Sequence, residues 1–219
     1  LASRQALNPH TLFSPHGVDV ELFARAADKR TEIAAGARDL AHPVVGYFGS
    51  LHEWIDFGLI EWLARERPQW SFLLVGHAAT DLGALATLPN VHLAGAQPYA
   101  SLPSWAKAFD VAIIPYRLNR QVANANPLKL REYLATGKPV VSVRNAEIEK
   151  FARWVRIADD RDAFLVAIER ALAEDTPAAA LARRAAVAGQ TRDRGGAGGL
   201  APVAGGPARR SAGRTRQSS

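Results

Sequence analysis

Cysteine and methionine are both absent from the 219 residues. Without cysteine there is no disulfide, no thiolate metal site and no cysteine nucleophile. Without methionine the chain opens on Leu1, so it is expected to be a piece of a longer protein. Long apolar runs are missing too: none approaches the roughly 18 to 20 residues that span a bilayer, and the N-terminus does not read as a signal peptide. No G-x-G-x-x-G, G-K-[ST] or G-x-S-x-G pattern occurs, and no two carboxylates are spaced for glycoside hydrolysis. The six histidines (His10, His16, His42, His52, His77 and His92) show no metal-ligand spacing, so no metal is expected. What remains, 48% hydrophobic and 22% charged, is enough for one or two domains with a real core.

Lysine is scarce, 5 against 22 arginines, and the net charge of +6 is unevenly spread. Residues 183–219 hold eight arginines and one acid, Asp193, so they contribute +7 and leave the first 182 residues at −1. The basic balance therefore belongs to an appendage. That segment also carries eight of the 17 glycines and has no hydrophobic periodicity. A solvated, disordered Arg/Gly/Ala-rich tail is the plain reading. Two others stand beside it: a reading-frame slip near residues 186–195 of a GC-rich gene, and an RNA-binding tail. The last is weak, because no aromatics are interleaved for base stacking.

Before the tail, apolar runs alternate with helical patterns. The runs at residues 43–48, 71–75, 91–93, 111–114 and 139–143 read as strands. Helical patterns occupy residues 56–67, 81–86, 102–109, 127–136 and 161–174. A short extended piece at residues 12–14 precedes them, and no closing helix is legible after residue 174. Near-continuous apolar strands separated by helices imply a parallel sheet covered on both faces. The fold class is α/β, a doubly wound, Rossmann-like parallel sheet, in a domain written as 1–182 with 183–219 as tail. Ligands of such sheets bind beyond the carboxyl ends of the strands.

Two segments fall there. Gly49 and Ser50 follow the first strand, where a small residue lets backbone N–H groups approach a phosphate. A lone glycine after a strand is equally a tight turn. Asn126 and Pro127 suit a helix start at another strand's carboxyl end, and the Lys129 ammonium beside that N-terminus would attract a diphosphate. Glu132, further in, has the chemistry to accept hydrogen bonds from a ribose diol. The alternative makes Lys129 and Glu132 an i,i+3 ion pair on a solvated face. Among the histidines, His52 and His77 fall in ligand-side loops, whereas His92 reads as a satisfied or edge-strand residue.

Five segments in order carry a resemblance: Pro15-His16-Gly17-Val18-Asp19, Gly46-Tyr47-Phe48-Gly49, Asn90-Val91-His92-Leu93-Ala94-Gly95, Tyr99-Ala100-Ser101-Leu102-Pro103, and the run from Pro127 to Val141 beginning Pro127-Leu128-Lys129-Leu130-Arg131-Glu132-Tyr133. Together, over residues 8–173, they resemble the C-terminal, donor-binding domain of GT-B glycosyltransferases, most closely the retaining group 1 family. The resemblance implies one half of a GT-B fold that binds a nucleotide-diphosphate sugar, UDP- or GDP-linked, for transfer of a hexosyl group to an acceptor hydroxyl. The donor is a substrate, and no cofactor is implied. Carried over by position, Gly49, Ser50, Asn126, Pro127, Leu128 and Lys129 face the diphosphate, Asn124 the donor sugar, and Glu132 the ribose. The loops with His77 and Gly95 lie on the base side.

The family's setting implies a cytoplasmic, bacterial enzyme of polysaccharide biosynthesis. Its partner is an acceptor glycan or lipid-linked glycan held by a further domain, and the full-length protein associates peripherally with membrane. Specific nucleic-acid binding is not implied. Two departures stand out: Asn124 occupies the place of the family's first glutamate, and His52-Glu53-Trp54-Ile55-Asp56 replaces the usual basic clamp after the first strand. Alternatives are a nucleotide-sugar 2-epimerase of the same architecture and a binding module without catalysis.

Overall fold

A computed structural model describes residues 17–117 and 127–188. Six strands form one sheet: β1 Val44–Phe48, β2 Ser71–Val75, β3 Val91–Gly95, β4 Val111–Ile114, β5 Val140–Val143 and β6 Arg156–Ala158. Their order is β3-β2-β1-β4-β5-β6, and every neighbouring pair is parallel. The chain runs outward from β1 to one edge, then returns to lay β4 on β1's other side. That reversal places the topological switch between β1 and β4.

The two-residue period of each strand divides its side chains between two cores. Val44 and Phe48 of β1, Leu73 of β2 and Ile114 of β4 face one layer. Val45 and Tyr47 of β1, Phe72 of β2 and Ile113 of β4 face the other. The first layer is covered by helices α1 Val20–Ala24, α3 Leu102–Lys107 and α4 Leu128–Thr136. The second is covered by α2 Phe57–Glu66 and α6 Arg161–Ala173. Being apolar on both faces is what made these strands legible as unbroken runs. Gly46 breaks the pattern because Phe109 needs its space: a Cβ there would stand 2.1 Å from the Phe109 ring.

Helix starts follow capping chemistry. Asp56 accepts from the Leu59 N–H at 3.0 Å and Asp160 from the Ala163 N–H at 2.8 Å, opening α2 and α6. The expected helix at residues 81–86 is a 3₁₀ turn, Gly83–Thr87, and that at residues 102–109 narrows to α3 behind a second 3₁₀ turn, Tyr99–Ser101. Four elements were not expected: α1, β6, the short α5 Ala146–Glu149, and α7 Pro177–Ala185.

The last of these corrects the domain limit. Thr176 caps α7 and Pro177 fills its first turn, so a helix does follow residue 174. It runs through the expected boundary at residue 182. Arg183 is buried, donates from Nε to the Gly137 carbonyl at 2.8 Å and pairs with Asp175. Val187 is completely buried against the first core layer. The folded domain thus continues through residue 188. The expected tail from residue 189 onward, and the extended piece at residues 12–14, lie outside the described residues.

Candidate functional site

The β1–β4 ladder covers only two residue pairs, Val45 with Val111 and Gly46 with Ala112. Above them the strands part, and the Phe48 N–H has no carbonyl from β4. The Tyr133 hydroxyl of α4 accepts it instead, at 2.9 Å in a buried setting. This keeps the crevice open without an orphaned donor. Burial pushes the Tyr133 phenol well up, so it remains protonated.

Three loops are sewn together at the mouth of the crevice. Gly49 donates to the Val75 carbonyl at 2.8 Å, Leu51 donates to the His77 carbonyl at 2.9 Å, and Ala79 donates back to Leu51 at 2.9 Å. On the other side Asp56 donates to Pro115 at 2.7 Å and Arg117 to Trp54 at 2.8 Å. Gly49 and Gly76 are both in the positive-φ region, at +132° and +156°, and a Cβ on Gly76 would stand 1.9 Å from the Gly49 carbonyl oxygen. Backbone lies on backbone here, which only glycine permits.

Lys129, from the first turn of α4, reaches across to this loop. Its Nζ lies 5.0 Å from the Tyr47 ring centroid and 6.0 Å from that of Phe48. A Cβ on Gly49 would stand 2.2 Å from the same Nζ, so the glycine makes room for the ammonium. Burial lowers the Lys129 pKa, and the Glu132 carboxylate partly opposes that. Among the described residues Lys129 forms no ion pair, and neither it nor Glu132 is exposed. The solvated-face ion pair is therefore not what this spacing builds. An ammonium held over two rings and in no ion pair among the described residues has the chemistry to receive an anion.

Glu132 lies one turn deeper, 6% exposed, with Oε1 accepting from the Tyr99 hydroxyl at 3.0 Å. Burial, with a smaller push from Glu132, raises the Tyr116 phenol to about 12. The first helical N–H groups of α4, those of Leu128 and Lys129, point out of the helix with no carbonyl partner among the described residues.

The sequence-derived residues separate as follows. Gly49, Leu128, Lys129 and Glu132 share α4 and the β1 loop, while Ser50, exposed, receives the Tyr47 hydroxyl on its carbonyl at 3.2 Å. Pro127 sits at the cap position itself instead of the first turn; it has no N–H and supplies only backbone geometry. Asn124 and Asn126 lie outside the described residues. His77 is exposed and joins the frame through its backbone carbonyl alone. Gly95 ends β3 at φ +68°, with open space before it. His92 does lie on the edge strand, and burial lowers its pKa. In the clamp position, His52 stacks on Trp54 at 3.9 Å, and its Nδ1 accepts the Glu53 N–H at 2.9 Å.

The four tyrosines around the crevice, Tyr47, Tyr99, Tyr116 and Tyr133, had no predicted role. Their signal was present, since all four fall on or just beyond ligand-side strand ends or on α4. A cleft of about 580 Å³ opens at the opposite, amino ends of β5 and β6, against α6 and α7, and takes in none of these residues.

Among the described residues no helix is long and apolar enough to cross a membrane. Residues 42–176 match the family described as Glycosyl transferases group 1. A protein of Bacillus subtilis named as a teichuronic acid biosynthesis glycosyltransferase, TuaH, is 32% identical over 142 residues, covering 63% of this chain and 35% of that protein. Sucrose-phosphate synthase from Thermosynechococcus elongatus shares the fold at TM-score 0.61 and 21% identity, over 80% of this chain and 47% of that one. Anabaena HepE, solved in complex with UDP and glucose, does so at TM-score 0.54 and 21% identity, over 80% of this chain and 51% of that one. The chain thus spans between about a third and a half of the length of these relatives. Matched over more than half of its length, and on the same frame that brings Lys129 to Gly49, this chain belongs to the group 1 glycosyl transferases.

Proposed function

We propose that this chain is the donor-binding half of a retaining glycosyltransferase, holding a nucleotide-diphosphate sugar at the β1–β4 crevice. The observation that carries the proposal is the Lys129 ammonium, half-buried against Tyr47 and Phe48 and lying 2.2 Å from where a Cβ on residue 49 would stand. A diphosphate there receives the ammonium, the α4 N–H groups and the helix dipole together. Glu132, deeper on the same helix, takes the ribose hydroxyls. The loops of His77 and Gly95 flank the base.

In this reading the protein works on the leaving group. Fixed positive charge stabilises the diphosphate as the glycosidic bond lengthens, while an acceptor hydroxyl attacks from the same face. The acceptor, a glycan or lipid-linked glycan, is held by a further domain of the whole enzyme. The name of the Bacillus subtilis relative, which places that protein in teichuronic acid biosynthesis, supports a role in bacterial polysaccharide synthesis. The family match favours a transferase over a 2-epimerase or a binding module.

Calorimetric titration of the chain with UDP, GDP, ADP and TDP, at about 0.15 M salt to screen the basic C-terminal segment, tests the proposal. One diphosphate is expected to bind in preference to the others. Failure of a folded chain to bind any of the four would overturn it.

A further inference from the structure

Tyr99 stands where the β3 loop meets α4, and no part of the proposed donor site yet uses it. Its hydroxyl donates to Oε1 of Glu132 at 3.0 Å, while 43% of the residue is exposed. Its ring meets Phe23 edge-on, centroids 5.5 Å apart and planes at 82°. Phe23 in turn stacks on Phe48, whose ring meets Tyr133 edge-on at 4.5 Å. The phenol is thus braced through an aromatic row to the end of β1 and to α4. A ring so fixed holds its hydroxyl against Oε1 of Glu132.

A glutamate that is to bind a diol gains from such a contact. A glutamate has three side-chain torsions, and the last is a broad rotation with no strong preference. A diol binds well only to a carboxylate already turned toward it, because ordering the side chain on binding costs affinity. A carboxylate has about four acceptor positions, so one phenol on Oε1 is compatible with a diol in the same plane.

We propose that Tyr99 is a positioning residue for the nucleoside: its hydroxyl fixes the Glu132 carboxylate in the orientation that receives the ribose 2′- and 3′-hydroxyls. This rests on the donor-site reading given above. It makes Tyr99 a determinant of ribose recognition that acts through Glu132, with no role in choosing the base.

The test is Tyr99→Phe, which removes one oxygen and keeps the ring on Phe23. Whichever of UDP, GDP or ADP the wild-type chain binds best is titrated against its 2′,3′-dideoxy counterpart, with wild type and variant. Wild type should prefer the ribonucleotide by roughly tenfold or more, as expected when hydrogen bonds to a charged group are lost. In Tyr99→Phe that preference should fall several-fold, with the dideoxy affinity unchanged. Glu132→Gln should abolish most of the preference by itself, and adding Tyr99→Phe to it should change little further.

Equal losses for both ligands, or an undiminished preference in Tyr99→Phe, would overturn the proposal. So would additive effects in the double variant. A wild-type chain that binds none of the four diphosphates would instead bring down the donor-site reading and this inference with it, whereas one that binds TDP alone, or binds ribonucleotides without regard to the two hydroxyls, overturns this inference and leaves the diphosphate site standing. Coincident thermal unfolding of wild type and Tyr99→Phe shows that the comparison is made on the same fold.

Discussion

Lys129 shows how one side chain is shaped by positions far from it in sequence. An ammonium with a lowered pKa is held at a cost that an incoming anion repays. Lys129→Ala is therefore expected to weaken binding of the preferred nucleoside diphosphate by about 1.5–3 kcal/mol, read by calorimetry. Unchanged affinity would exclude Lys129 from the site. The shift also carries a sign. Below its lowered pKa the lysine is protonated in both free and bound forms, and binding moves no proton. Between that value and 10.5, the free protein has released the proton that the diphosphate-bound form retains. Binding in alkaline solution should then take up a proton, seen as a dependence of the apparent enthalpy on buffer ionisation. Lys129→Ala should lack it.

At the scale of elements, the docking of α7 on α4 carries the fold past residue 182. Gly137 closes α4 at φ +81°, and its carbonyl would be buried without a donor were Arg183 not there. Arg183→Ala removes that donor and strands Asp175, so a loss of about 1–3 kcal/mol is expected. Urea unfolding checks it, as a lowered midpoint with an unchanged slope. No change would mean that α7 is dispensable to the fold. In sequence this helix was hard to see. Pro177-Ala178-Ala179-Ala180-Leu181-Ala182-Arg183-Arg184 has one large apolar residue, Leu181, and it faces solvent. What holds the helix is an arginine, a residue type ordinarily read as surface.

For the whole molecule, the sheet order sets what one chain can do. The crevice between β1 and β4 opens beyond the strand ends, so the described residues wall a donor from one side only. Water would reach a sugar held there, and fixed charges are worth less in water than in an enclosed site. The chain by itself is expected to bind the diphosphate while giving no glycosyl transfer from a labelled donor to a sugar acceptor. Transfer should appear only in a longer protein that supplies the second wall. Turnover by the 219-residue chain alone would refute this division of labour.

Five of the six strands followed from residues alone, because a strand buried on both faces must be almost wholly apolar, as residues 72–75 and Val111–Ile114 are. The glycines at 49 and 76 were legible as strand ends for the same reason. The basic C-terminal segment was legible as a change of composition, though its inner edge was not. What residues 49, 99, 129 and 132 do to one another was decided by the tertiary structure alone. Spacing places Lys129 and Glu132 three apart whether a helix is solvated or buried, so both readings fitted the sequence equally. Only the packing of α4 beneath the parted ends of β1 and β4 takes water from the ammonium, turns it onto Tyr47 and Phe48, and brings Glu132 to the hydroxyl of Tyr99. Desolvation and long-range contact are properties of the fold, and no local pattern encodes them.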